Sequence, residues 1–279
     1  MLKGLTGAGL GAVESDLHLV DLAAQNGFQS VDLDALSLAN KLGAEQAREL
    51  LRKKGLVIGS IGLSVDWRTT EESFRAGLGR LTEEAAAAAA LGCTSCCTYI
   101  LPSVDAKAAH FMAQATKRLR LCAQILGAYG LRLGLEYVGP HHLRTAWANP
   151  FIWTMEETLD WIEAIGEPNV GLLLDSYHWY TSEQTASEIA NLRADQIVHV
   201  HLNDAPDVPV REALDNGRLY PGEGVIDLTA FLNALKQAGY AGPVSQEILT
   251  REAPAGTPEQ LAAKSGEAYA RVFAAAGLQ

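Results

Sequence analysis

The chain has 279 residues, 48% of them hydrophobic, and its 33 Asp and Glu against 22 Lys and Arg give a formal charge of −11. That balance has the wrong sign for the phosphate-driven attraction on which nucleic-acid binding depends, and no basic patch stands out. No run of roughly 18 uninterrupted apolar residues is present to cross a membrane as a helix, and the opening stretch MLKGLTGAGLGAVESD lacks the apolar core of a secretory signal. The expectation is a cytoplasmic protein with neither nucleic acid nor membrane as a partner.

Eight apolar segments read as strands, and each is followed by a helical pattern: Leu5 to Leu10, Ser30 to Leu33, Leu56 to Val65, Thr94 to Ile100, Leu131 to Val138, Val170 to Ser176, Ile197 to Asn203 and Pro243 to Leu249. Around the first of these, glycines 4, 7, 9 and 11 lack the G-x-G-x-x-G spacing of a dinucleotide-binding turn and read as a tight loop. The alanine run in EEAAAAAALG is a strong helix former. Cys93, Cys96, Cys97 and Cys122 have no second Cys or His pair at zinc spacing and read as small buried residues.

Further along, Thr154-Met155-Glu156-Glu157 and Thr257-Pro258-Glu259-Gln260 have the form of capping boxes, and Gly92, Gly166, Gly239 and Gly277 stand where helices should stop. Leu228, Phe231, Leu232 and Leu235 recur at helical spacing and would cover a sheet. Eight such units of about 35 residues fit an α/β fold, a (β/α)8 TIM barrel, as one domain over residues 1–279.

In that fold, active sites collect at the carboxyl ends of the strands. The fifth to eighth strands end with Glu136 in LRLGLEYV, Asp175 in VGLLLDSYH, His201 in IVHVHLND and Glu247 in PVSQEIL. Strand alternation puts Glu136 on one face with Gly134 and Arg132, His201 with His199, and Glu247 with Ser245. The small and polar set would line the barrel axis. Three converging carboxylates repel one another and need a counter-charge. A divalent ion supplies it, with Mn2+ the first expectation and Mg2+, Co2+ or Zn2+ the alternatives for a set of oxygens and one imidazole.

In its order E…DxxH…H…E, with LEYVGP, LLLDSYHWY, HVHLND and RLYPGEGVID, the chain resembles the xylose-isomerase-like superfamily of sugar isomerases and epimerases. The inosose isomerase and ketose 3-epimerase branch is the nearest, and the resemblance covers essentially the whole chain. It implies that Glu136, Asp175, His201 and Glu247 hold one divalent metal, and that Glu136 and Glu247 also act as base and acid. It further implies substrate contacts for His178, three places after the aspartate, and for Arg218 in the R-x-x-P-G-x-G pattern. His142 stands where the ketose 3-epimerases carry a substrate-binding glutamate, and the long NDAPDVPVREALDNG segment is closer to the inosose isomerases. His141, His142 and Arg144 either line the pocket or solvate a loop. Trp67, Tyr99, Trp147, Tyr177 and Trp179 either wall the pocket or pack against the core.

The resulting expectation is a metal-dependent isomerase or epimerase for a small ketose or inosose, working by proton transfer through a metal-stabilised enediolate, and compatible with a homo-oligomer. A dehydratase-type lyase would share the metal and the enolate. Endonuclease-four-type repair enzymes share the fold, but they add histidines on the third and fourth strands and a DxH after the seventh. This chain has Ser64, Asp66 and Tyr99 at the former positions and no DxH after His201. A sugar sensor without turnover fits poorly with the presence of both glutamates. If Arg218 and His178 only grip substrate, replacing either with Ala should leave folding intact.

Overall fold

The computed structural model describes residues 1–278. Nine short strands form one parallel sheet: β1 (Leu2–Leu5), β2 (Ser30–Val31), β3 (Val57–Ile58), β4 (Ile61–Gly62), β5 (Ser95–Ile100), β6 (Arg132–Tyr137), β7 (Val170–Asp175), β8 (Ile197–Leu202) and β9 (Pro243–Gln246). Their lateral order is β3-β2-β1-β9-β8-β7-β6-β5-β4. The two edge strands are separated in sequence by only Gly59 and Ser60, so the sheet comes round on itself into a nearly closed barrel, with helices alternating along the chain. A separate antiparallel pair, Ser103–Val104 with Asn149–Pro150, lies outside it.

Two strand expectations change. The segment from Leu56 to Val65 is two pieces, Val57–Ile58 pairing with β2 and Ile61–Gly62 pairing with β5. At the break, the Ser60 N–H donates to Asp32 Oδ1 (3.0 Å), and a Cβ on Gly59 would collide with that same oxygen. The first strand is Leu2–Leu5, earlier than the Leu5 to Leu10 reading. Gly9 and Gly11 have φ of 77° and 70°, which end an extended run.

Alternation along the strands divides the barrel as anticipated. Leu133, Leu135, Leu172, Leu174 and Val200 are fully buried on one face. Small residues meet on the other: a Cβ on Gly4 would strike the Ser245 and Ser30 hydroxyls, and one on Gly134 would lie 2.9 Å from Cys97 Sγ. At the opposite end of the barrel from the Glu136 end of β6, Arg132 donates to the Ile197 and Asp195 carbonyls. The helices keep their punctuation. Thr257 makes a complete capping box for Pro258–Ala275, and Thr154 Oγ1 accepts from Glu157 N–H before Met155–Ile165, which ends at Gly166 with φ 74°. All four cysteines are free, with Cys93, Cys96 and Cys122 buried. Among the described residues no helix is long and apolar enough to cross a membrane.

Candidate active site

The abrupt exit of β7 has a local cause. Asp175 is both the last residue of the strand and the N-cap of the helix Ser176–Thr181, its Oδ1 accepting from the Tyr177 N–H (2.6 Å) and the His178 N–H (3.2 Å). The other oxygen, Oδ2, is left to face the barrel axis, where Asn203 Nδ2 donates to it (2.9 Å). His201 sits opposite Asp175 in the β7–β8 ladder. Glu136 is the penultimate residue of β6, and Glu247 follows β9 directly, its N–H donating to the Leu202 carbonyl at 3.3 Å.

These four side chains converge. His201 Nδ1 lies 3.4 Å from Glu136 Oε1, 3.4 Å from Glu247 Oε2 and 3.9 Å from Asp175 Oδ2. One ligand atom from each residue falls within 4.8 Å of all the others. Glu136 Oε1 and His201 Nδ1 are buried with no hydrogen-bond partner among the described residues. Two orphaned buried groups aimed at one point, in a donor set of oxygens and one imidazole, fit a hard or borderline divalent ion.

The electrostatics point the same way. Burial pushes the Glu136 carboxyl above its ordinary range. Burial would also raise Glu247, but His201 and Arg218 hold it well below. For His201, burial would lower the imidazolium, yet the Glu247 and Glu136 carboxylates keep it well above the usual histidine range. Four acids, Glu136, Asp175, Asp215 and Glu247, thus surround two basic groups, Arg218 and His201. The cluster retains an excess of negative charge that a divalent cation would meet.

Arg218 lies deeper than a loop arginine reaching for substrate. It is 3% exposed. Its Nη1 donates to Asp175 Oδ2 (2.9 Å) and Glu247 Oε2 (2.6 Å), and its Nη2 donates to Asp215 Oδ1 (2.8 Å). The fixed aim comes from Asp204, fully buried, whose two carboxylate oxygens accept from the N–H groups of Ala205, Gly222, Gly224 and Ile226. That carboxylate ties down the PGEG turn beside Arg218. His178, also buried, sits 3.3 Å from Arg218 Nη2 through Nε2, while its Nδ1 accepts from the Gly139 N–H at 3.3 Å.

The remaining sequence candidates scatter. Trp67 is buried against Phe111 and Trp161, with its indole N–H on Thr98 Oγ1 (3.1 Å), and His142 is exposed on the short helix His141–Arg144. Neither is among the residues that line the cavity beside Glu136, His201 and Glu247. Tyr177 directs its hydroxyl to the Leu214 carbonyl and Trp179 packs on Phe231, whereas Tyr99 does border the cavity.

That cavity measures about 590 Å3, within the range of small-molecule sites. Glu136, His201 and Glu247 form one side. Another lining residue, Asp32, was not singled out from the sequence. Its Oδ2 is 2.7 Å from His199 Nε2 and 3.8 Å from His201 Nε2. The usable signal was its place just past β2, at the same barrel end as the other four. Asp34, two residues on, is a different kind of acid: it caps the next helix by accepting from the Ser37 N–H.

Residues 20–271 match the xylose isomerase-like TIM barrel family. The chain belongs to this family. It is 36% identical to a xylose isomerase domain protein from Alicyclobacillus acidocaldarius, whose structure superposes with a TM-score of 0.90 over 99% of each chain. An inosose isomerase from Halalkalibacterium halodurans is 32% identical over 130 residues, 47% of this chain and 44% of that protein, so this match spans less than half of either. A ketose 3-epimerase from Arthrobacter globiformis is 24% identical over 249 residues, covering 86% of this chain and 80% of the epimerase.

Proposed function

We propose that the protein is a divalent-metal-dependent isomerase or epimerase of a small ketose or inosose. The observation that carries this reading is the convergence of Glu136, Asp175, His201 and Glu247 beside a cavity of about 590 Å3, with Glu136 Oε1 and His201 Nδ1 buried and unpartnered. The similarity to an inosose isomerase and to a ketose 3-epimerase supports the substrate class. Of the four residues, Asp175 is held most firmly, by two backbone N–H groups, Asn203 and Arg218, so its part is to hold the ion in place.

A divalent ion in this set supplies positive charge for the substrate oxygen that becomes anionic when the adjacent C–H loses its proton. The chain supplies the proton chemistry. Glu136 and Glu247, both bordering the cavity and at the ends of different strands, take the proton from one carbon and return one, to the opposite face for epimerisation or to the neighbouring carbon for isomerisation. Arg218, held on Glu247 Oε2, keeps that carboxylate ionised and oriented.

The test is product analysis on a panel of inososes, ketohexoses and other ketoses in D2O, with Mn2+ occupancy measured alongside. Turnover with deuterium at the carbon next to the carbonyl is expected. Glu136→Gln and Glu247→Gln should each lower kcat by at least about 100-fold at matched occupancy. An epimerised product carrying no label would overturn the two-glutamate scheme, and a dehydrated product would make the protein a lyase.

A further inference from the structure

Asp32 reaches the site from the far side of the barrel, and the structure is built around its reach. It follows β2, yet its Oδ2 stands 2.7 Å from His199 Nε2 on β8. The carboxylate lies against the strand break, where Gly59 has no side chain to displace it and the Ser60 N–H fixes Oδ1 at 3.0 Å. The carboxylate is therefore anchored by a backbone donor on one oxygen and by an imidazole on the other.

The imidazole of His201 has two nitrogens with different neighbours. Nδ1 is the nitrogen nearest Glu136, Asp175 and Glu247, whereas Nε2 is the one nearest Asp32 Oδ2, at 3.8 Å. A neutral imidazole that offers a lone pair at Nδ1 must carry its hydrogen at Nε2. Such a hydrogen is directed to the Asp32 side of the ring. We infer that Asp32 is a positioning residue for His201: its carboxylate selects the tautomer with hydrogen on Nε2 and sets the ring so that Nδ1 faces the carboxylates. The contact at 3.8 Å is one of charge, longer than a hydrogen bond. His199, fully buried, holds the same Asp32 oxygen at 2.7 Å through its Nε2.

This inference rests on the metal-dependent reading, and the experiment separates the two. Mn2+ affinity is measured by titration calorimetry on the wild type and on Asp32→Asn, which keeps the side-chain size and removes the charge. Partners that orient a metal-binding histidine are worth about 10- to 100-fold in affinity, so a loss of at least about 10-fold is expected. A wild type that binds no Mn2+ refutes the metal site itself. A wild type that binds while Asp32→Asn binds equally well refutes the role of Asp32 alone. Should the variant fail to fold, 15N spectra of histidine-labelled wild-type protein loaded with Zn2+ give the answer directly. His201 should coordinate through Nδ1 and retain a protonated Nε2; coordination through Nε2 would overturn the inference.

Discussion

Replacing Arg218 with Ala should destabilise the protein markedly. The guanidinium is 3% exposed and donates to three carboxylates, Asp175, Glu247 and Asp215, at 2.6–2.9 Å. Removing one partner of a buried ion pair costs about 3–5 kcal/mol, because the remaining charge is left uncompensated. For a chain of this length the loss corresponds to a fall in Tm of roughly 6–20 °C. The effect should depend on pH with a defined sign. Burial acts to raise Glu247, but His201 and Arg218 hold it below its ordinary value of 4.5. A depressed carboxylate pKa stabilises the fold above the unfolded value, and that stabilisation is lost as pH falls through the folded value. The gap between wild type and Arg218→Ala should therefore be widest at neutral pH and narrow on acidification. Urea unfolding in EDTA, at neutral pH and in steps well below the ordinary carboxylate value of 4.5, measures both. A loss below about 1 kcal/mol, as for an exposed pair, or a gap that widens in acid, would refute the buried-network account.

Two further substitutions test the scaffold. Gly4→Ala puts a Cβ 2.7 Å from Ser30 Oγ and 2.9 Å from Ser245 Cα inside the barrel; a loss of about 1–3 kcal/mol in chemical denaturation is expected, and a neutral result would mean that the interior is loose there. Asp204→Asn replaces one of two accepting oxygens with an NH2, leaving the N–H groups of either Ala205 and Ile226 or Gly222 and Gly224 facing a donor. At about 1–3 kcal/mol for each unsatisfied buried group, the variant should melt early, and amide spectra should show the Gly222 or Gly224 signal displaced; unchanged spectra would show that Asp204 does not order this turn.

The convergent quartet was legible because each member combines two local signals, a place at the end of an apolar strand and the parity of the axis-facing set, and the barrel brings consecutive strand ends together. Asp32 carries the positional signal, but its partner His199 is 167 residues away and the room for its carboxylate depends on the missing side chain at Gly59, in the strand break. That break was hidden, because Leu56 to Val65 reads as one apolar segment and its donor Ser60 turns to a side chain rather than to the sheet. The motif marks Arg218 and gives it a loop address, but not its depth, because burial is imposed by the Asp204 clamp and the acids behind it. Trp67 shows what sequence leaves open, since an aromatic beside a barrel loop looks the same whether it faces a ligand or a core; its ring packs near those of Phe111 and Trp161.

The interrupted strand also bears on the substrate class. Because β4 starts afresh after Ser60, the loop residues Leu63 and Ser64 border the same cavity as Glu136 and Glu247. Behind Ser64 stands Glu84, 6% exposed, which accepts from the Ser64 hydroxyl and from Arg80 Nε at 2.7 Å. The cavity is thus bordered by carboxylates both at the convergent quartet and beyond the strand break. An apolar ligand would strip water from these groups without replacing its hydrogen bonds, at a cost that grows with each group left unpaired. A polyhydroxylated molecule offers a donor or an acceptor at nearly every carbon and can replace that water group by group. The polar groups on the wall away from the quartet can therefore pair with a polyhydroxylated ligand of the kind proposed above.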